Sequence, residues 1–207
     1  MTRLYDYWRS SAAYRVRIAL NLLGIGYEAV PVNLVTGEQR GAENLARNPQ
    51  GLVPTLEIDG VSLTQSLAIM EYLHETHGAL LPEGAVAKAR VRALAYAVAM
   101  EIAPICNLSV RNHVAELTEG RFSADDWQRH YIGAGLTALE RMLQGPQTGR
   151  FCHGDQVSIA DICLIPQVYN AQRVGLDVAS WPTIAGIMAR LQEIPAVQAA
   201  HPDQVKP

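Results

Sequence analysis

The first 77 residues alternate between two periods. Arg3-Leu4-Tyr5-Asp6-Tyr7 alternates in the manner of a half-buried strand, and Val16, Ala19, Leu20 and Leu23 then recur at helical spacing until Gly24 stops the helix. Asn48 to Ile58 reads as a turn followed by a strand. Pro54 stands near the strand entry, a place proline takes at a sheet edge or in a tight turn, cis included. Asp59-Gly60 makes a two-residue hairpin turn into Val61-Ser62-Leu63-Thr64, and Gln65 to Leu73 starts a second helix directly after a strand. A βαβ start, a hairpin and a closing helix that ends at Gly78 predict a mixed sheet with helices on its faces, as in a thioredoxin-like domain.

Beyond Leu80-Leu81-Pro82, read as a linker, the pattern turns almost wholly helical. Ala85 to about Val114 is one long periodic segment in which Pro104 is expected to place a kink or a break. A helix opens at Ser123-Ala124-Asp125-Asp126 and runs to about Leu143, before Gly145-Pro146. Ser158 and Asp161 stand in the relation of a capping box, and Val157 and Ile162 in that of a hydrophobic staple, so Asp161 reads as structural. Trp181-Pro182 begins the last strong helix, which reaches about Gln192. No internal repeat or low-complexity stretch interrupts these segments.

Composition narrows the function classes. At 207 residues the chain has room for one large or two small domains. A net charge of −3 with 18% charged residues argues against a nucleic-acid partner. No apolar run approaches the roughly 18 residues of a membrane span, and the N-terminus lacks a secretory pattern, so a cytoplasmic protein without a membrane partner is expected. Cys106, Cys152 and Cys163 are too few and too irregular for a disulfide framework or a zinc site. Each reads as a reduced, buried, small hydrophobe, and no metal is expected. His74 and His77 read as cations suited to the last turn of their helix.

Chemistry concentrates at Arg9-Ser10-Ser11-Ala12-Ala13-Tyr14-Arg15-Val16-Arg17, which places two hydroxyls and three guanidiniums where a strand becomes a helix. Orphan N–H groups and the positive end of the dipole favour an anion there, whether phosphate, carboxylate or thiolate. The plainer reading is that Ser10 or Ser11 only caps the helix. Gln65-Ser66 supplies a second polar helix start. Two such starts and one strand edge would together suit an extended, multiply anionic, peptide-like ligand.

The serine turn before Arg-Val-Arg-Ile-Ala-Leu, then Val53-Pro54-Thr55-Leu56, then Gln65-Ser66-Leu67-Ala68-Ile69 resembles the glutathione-binding domain of the zeta-class glutathione transferases. The resemblance continues through Asn107-Leu108-Ser109-Val110, Gly154-Asp155, Ala160-Asp161, Pro166-Gln167-Val168, Asn170-Ala171-Gln172-Arg173 and His201-Pro202. It implies an α/β thioredoxin-like domain over residues 1–82, followed by an all-α domain over 83–207 that supplies the electrophile site. It also implies a cytoplasmic homodimer with glutathione as cofactor.

Position by position, the resemblance puts the γ-glutamyl carboxylate at Gln65 and Ser66. The cysteinyl backbone falls against Val53 beside Pro54, and the sulfur falls at Ser10 and Ser11 with Arg15 close by. Gln39, Asn107 and Ser109 match further glutathione contacts. A thiol of pKa about 8.5 needs stabilising as thiolate, and a hydroxyl at a helix start does that. Tyr5 and Tyr7, the other N-terminal hydroxyls, belong to the strand pattern.

Arg9 and Arg173 match a clamp for the substrate carboxylate and keto oxygen. Arg111 is a weaker candidate, and Arg17 reads as structural. Ala12 replaces a cysteine frequent in this class, so no protein thiol is required, and Ala103 replaces a polar contact. The implied reaction is cis-to-trans isomerisation of a maleyl keto acid. Maleylacetoacetate, met in tyrosine and phenylalanine breakdown, ranks ahead of maleylpyruvate because Ser109 stands where an arginine accompanies the latter activity. General conjugation, haloacid dehalogenation and a noncatalytic glutathione-binding module are the alternatives.

Overall fold

Strand β1 (Arg3–Asp6) leads into helix α1 (Ser11–Leu22) and strand β2 (Glu28–Pro31), the predicted βαβ start. The computed structural model describes residues 1–207. A short 3₁₀ turn at Glu38–Arg40 and helix α2 (Ala42–Arg47) precede strands β3 (Thr55–Ile58) and β4 (Val61–Thr64) and helix α3 (Ser66–His77). The sheet order is β2-β1-β3-β4, with β1 parallel to β2 and antiparallel to β3, so the sheet is mixed as the pattern predicts. Leu4 pairs with Ala29 on one side and with Leu56 on the other.

The alternation expected of β1 is absent from its burial, because Leu4, Tyr5 and Asp6 are all buried. A central strand is covered on both faces. Tyr5 packs with Val32 and Val53 on one, and Asp6 meets Arg17 of α1 on the other. Tyr72 of α3 donates to Asp59 at 2.8 Å, tying that helix to the β3–β4 turn.

Packing divides the chain into Met1–Leu80 together with Glu193–Pro207, and Leu81–Gln192. The boundary thus falls two residues before the expected one, and the last segment, expected in the helical domain, belongs with the sheet. It forms helices α9 (Pro195–Ala199) and α10 (Pro202–Val205), and α9 lies against α1.

The second unit holds α4 (Ala85–Tyr96), α5 (Leu108–Leu117), α6 (Ala124–Met142), α7 (Ile159–Arg173) and α8 (Pro182–Leu191). The break predicted at Pro104 begins earlier, in a π turn over Ala97–Ile102 closed by Ala103 N–H donating to the Val98 carbonyl. Its side chain Ile102 fills the notch that Gly135 leaves on α6, where a Cβ would overlap Ile102 Cγ1 and Cδ1. Gly135→Ala is therefore expected to cost about 1–2 kcal/mol, the overpacking penalty less the gain in helix propensity. Urea denaturation checks this, with Ile102→Val in the same chain recovering part of the loss.

Asp161 joins Ser158 in the predicted capping box and also accepts from Cys152 N–H at 2.8 Å. The start of α8 is capped from a distance. Glu140 of α6 accepts from Thr183 N–H at 2.8 Å and Ile184 N–H at 2.9 Å. All three cysteines are free and buried. Burial pushes the Cys106 thiol up to about 11, against a smaller opposing effect of Arg111, and also raises Cys152 well above the ordinary thiol range. No helix is long and apolar enough to cross a membrane.

Candidate active site

The turn from β1 into α1 is closed by Ser10 N–H donating to the Tyr7 carbonyl at 2.8 Å. Ser10 is the N-cap of α1, with extended backbone, and its Oγ accepts from Ala13 N–H at 3.3 Å. Capping and chemistry are compatible here. The cap bond uses a lone pair of Oγ, and the hydroxyl hydrogen is left for an acceptor placed at the helix start. Ser11, the first residue of α1, lies beside it.

Arg15 is buried one turn into α1 and donates to Ser66 Oγ at 3.3 Å. Ser66 opens α3, so this guanidinium links the two helix starts that the sequence singled out. Gln65 caps α3 with φ +67°, in the left-handed region, and its side-chain amide donates to Gln50 Oε1 at 2.7 Å. The Val53–Pro54 bond is cis, and β3 pairing begins only at Thr55, which leaves Val53 just outside the ladder. Gln39 lies in the same neighbourhood. Its carbonyl accepts from Asn44 and packs against Gly51, while its Oε1 is buried without a partner. Two positive helix starts, a guanidinium and a hydroxyl donor thus converge on one side of the first unit.

Of the two tyrosines read as strand residues, Tyr5 lies in β1 and Tyr7 falls one residue past its end. Tyr5 is buried, donates to Glu57 at 3.2 Å and carries Arg47 over its ring. Tyr7 accepts from Arg9 Nη2 at 3.3 Å, and the Arg9 guanidinium also stands 4.8 Å from the Trp8 ring centroid. Arg9 is therefore a braced cation at the turn rather than a loose surface arginine. Arg17 is buried in an ion pair with Asp6.

In the second unit, Asn107 is the N-cap of α5, accepting from Leu108 N–H at 2.7 Å, and Ser109 lies exposed in the first turn of the same helix. Arg111 donates to Gln128 Oε1 at 2.8 Å, which ties it to α6. Arg173 ends α7, exposed, where a cation suits the helix dipole, with its guanidinium 5.8 Å from the Tyr169 ring. Two participants escaped sequence reasoning. No sequence pattern singles out Trp8, which lies in the turn after β1, and Gln50 gains meaning only through its bond to Gln65.

Models of the glutathione S-transferase N-terminal and C-terminal domains match residues 1–75 and 110–199. The maleylacetoacetate isomerase of Rhizobium meliloti (strain 1021) is 56% identical over 209 residues, covering 100% of this chain and 98% of its own. The chain belongs to the glutathione S-transferase family.

Solved transferases superpose closely. A zeta-class bacterial glutathione S-transferase, maleyl pyruvate isomerase in its holo form, has a TM-score of 0.95 at 38% identity over 99% of this chain and 98% of its own. The maleylacetoacetate isomerase of Anaeromyxobacter dehalogenans 2CP-1, with dicarboxyethyl glutathione and citrate in its active site, has a TM-score of 0.88 at 43% identity, covering 100% and 96%. As a transferase, the chain has the thioredoxin-like and all-helical parts that its hydrophobic pattern and its resemblance implied.

Proposed function

We infer that this transferase is a zeta-class, glutathione-dependent isomerase that converts maleylacetoacetate to fumarylacetoacetate in tyrosine and phenylalanine breakdown. The observation that carries the reading is Ser10. It caps α1 by accepting from Ala13 N–H, which leaves its hydrogen available to an acceptor at the helix start, and Arg15 of the same helix donates to Ser66 at the start of α3.

In this reading Ser10 and Ser11 face the sulfur, and Arg15 adds positive charge that favours the thiolate. Gln65 and Ser66 take the γ-glutamyl carboxylate, Val53 beside Pro54 pairs with the cysteinyl backbone, and Gln39, Asn107 and Ser109 complete the glutathione contacts. In this reading Met1–Leu80 with Glu193–Pro207 acts as the glutathione domain and Leu81–Gln192 as the electrophile domain.

The thiolate adds to the alkene carbon that bears the carboxylate. The C–S bond forms, the π pair moves onto the conjugated ketone as an enolate, and the former double bond rotates. Collapse of the enolate expels the thiolate and leaves the trans alkene, so glutathione is regenerated. Arg9 and Arg173 bind the substrate carboxylate and the oxygen where charge develops. Addition of glutathione across a butenedioate double bond yields a dicarboxyethyl glutathione, the species bound in the Anaeromyxobacter relative. Ala12 leaves no protein thiol at the turn, so glutathione supplies the nucleophile.

Maleylpyruvate is the second reading, favoured by the close superposition on the maleyl pyruvate isomerase. The deciding experiment follows loss of each maleyl keto acid with and without glutathione. Glutathione-dependent turnover of maleylacetoacetate at the higher kcat/KM supports the assignment, and turnover of maleylpyruvate alone replaces it. Arg173→Ala is expected to lower kcat/KM for the maleyl keto acid roughly 10- to 100-fold, the worth of a charge-assisted carboxylate contact, with little change in KM for glutathione. Steady-state kinetics in both substrates checks this. The enzyme is read as a cytoplasmic homodimer, and light scattering that returns only a 22.6 kDa monomer contradicts the dimer.

A further inference from the structure

Arg17 lies in the middle of α1 and is 1% exposed. Its guanidinium serves three separate pieces of chain. Nη1 donates to both carboxylate oxygens of Asp6, at 2.8 and 2.6 Å. Nη2 donates to the Trp8 carbonyl at 2.9 Å, and Nε to the Ala200 carbonyl at 3.1 Å. Asp6 is the last residue of β1, Trp8 lies two residues before Ser10, and Ala200 is the C-cap of α9. One rigid fork therefore fixes the strand end, the serine turn and the C-terminal segment relative to each other.

Burying an ion pair of this kind is poor value for stability alone, because desolvation offsets most of the attraction and apolar replacements often do as well. Burial pushes the Asp6 carboxyl up, and Arg17 opposes that shift. The planar fork adds three fixed directions, which a point charge does not supply.

The C-terminal segment meets the turn and its helix elsewhere as well. Asn21, one helical turn beyond Arg17, donates to the Ala196 carbonyl at 3.1 Å, one turn before Ala200. The His201 ring stands edge-on to Tyr14, whose N–H donates to the Ser10 carbonyl at 2.8 Å. Lys206 lies 5.3 Å from the centroid of the Trp8 ring, the same ring that braces Arg9.

We propose that Arg17 is a positioning residue for the Ser10 turn, and that Glu193–Pro207 acts on thiolate formation through it. The inference rests on Ser10 as the donor to glutathione sulfur. Arg17 touches neither glutathione nor substrate; it sets where the Ser10 hydroxyl points. Displacement of a donor by about 1 Å is enough to cost up to 100-fold in rate.

The test uses Arg17→Lys, which keeps the charge beside Asp6 but is unable to serve three acceptors in fixed directions. A second variant ends at Ala199, which removes the Nε acceptor together with the His201 and Lys206 contacts and leaves both partners of the Asp6 ion pair in the chain. Asn21→Ala is the control, loosening the same segment without touching the turn. Isomerase kinetics are read together with the ultraviolet absorbance of the bound glutathione thiolate across pH.

In Arg17→Lys, kcat is expected to fall at least tenfold, KM for glutathione to change less than about threefold, and the bound thiol pKa to rise by about one unit. The shortened chain is expected to shift both kcat and thiol pKa in the same direction by a smaller amount. Asn21→Ala is expected to lower Tm with the thiol titration unmoved. Wild-type kcat and an unshifted titration in either test variant overturn the proposal, because a lysine that rescues fully marks simple charge compensation. Absence of isomerase turnover in the wild type overturns only the assigned reaction. The thiol titration needs no electrophile and still decides the role of Arg17. Glutathione bound by the wild type with an ordinary thiol pKa overturns both.

Discussion

Ser10→Ala is expected to lower isomerase kcat by about 100-fold while the protein stays folded, the scale on which one preorganised donor to a developing anion acts. Alanine removes two things at once. The cap bond to Ala13 N–H is worth about 1 kcal/mol, and its loss lowers stability without touching the sulfur. Ser10→Gly separates the two effects, because glycine is tolerated at an N-cap at a cost of a few tenths of a kcal/mol. The glycine variant is expected to keep most of the stability and to lose as much activity as alanine. Ser10→Thr, which restores a hydroxyl and a cap, is expected to recover part of kcat. Single-turnover kinetics with a thiolate absorbance reading checks the series, and full activity in the glycine variant would move the sulfur's donor to Ser11.

Asp161→Ala is expected to cost about 3 kcal/mol, or roughly a 10 °C fall in Tm. Its carboxylate accepts from Cys152 N–H, Ser158 N–H and Ser158 Oγ–H at 2.8, 2.9 and 2.8 Å, all buried. Truncation leaves two backbone donors without partners in the interior. Burial pushes the Asp161 carboxyl up from the ordinary carboxylate range, against the hydrogen bonds that pull it down. A carboxyl raised on folding contributes fully below its unfolded pKa and loses contribution as pH rises through the folded value. Its share of stability therefore persists on acidification. Asp161→Asn, which keeps the shape and one acceptor, is expected to cost about half as much as alanine. Differential scanning calorimetry at pH 5 and pH 7 tests both the size and the sign.

These two residues mark how far local pattern carries. The bond from Cys152 N–H to Asp161 spans nine residues and is not written in the chain, while the bonds of Ser10 to Ala13 and of Asp161 to Ser158 span three and are. The same is true of the βαβ start and the hairpin at Asp59-Gly60, whose periods and turn chemistry act over a few residues. Where the partner is distant, the pattern is silent. The cap of α8 comes from Glu140, 43 residues before the Thr183 N–H it accepts from, and nothing beside Trp181-Pro182 announces it. Pro104 pointed to a helix break, and helical backbone does stop between Ile102 and Leu108, but the widening over Ala97–Ile102 and the seating of Ile102 against Gly135 of another helix were not announced. Arg17 looked structural from its place on α1. Its third acceptor lies 183 residues away, and so the guanidinium that fixes the serine turn was invisible until the chain closed on itself. Of the candidate site, the serine turn and the Gln65-Ser66 start were legible as helix termini. The Arg15–Ser66 link and the Gln50–Gln65 pair depend on tertiary contact.

The return of Glu193–Pro207 to the first unit bears on the order in which a ribosome delivers the parts. Leu81–Gln192 is contiguous, so every residue it needs has been synthesised before the last segment emerges. The first unit begins earlier and is completed later. While the chain is still growing, α1 already carries Arg17 with Asp6 and the Trp8 carbonyl in reach, but the Ala200 carbonyl lies 183 residues further along the chain. The serine turn of a nascent chain therefore gains its third anchor only after the whole of Leu81–Gln192 has been synthesised.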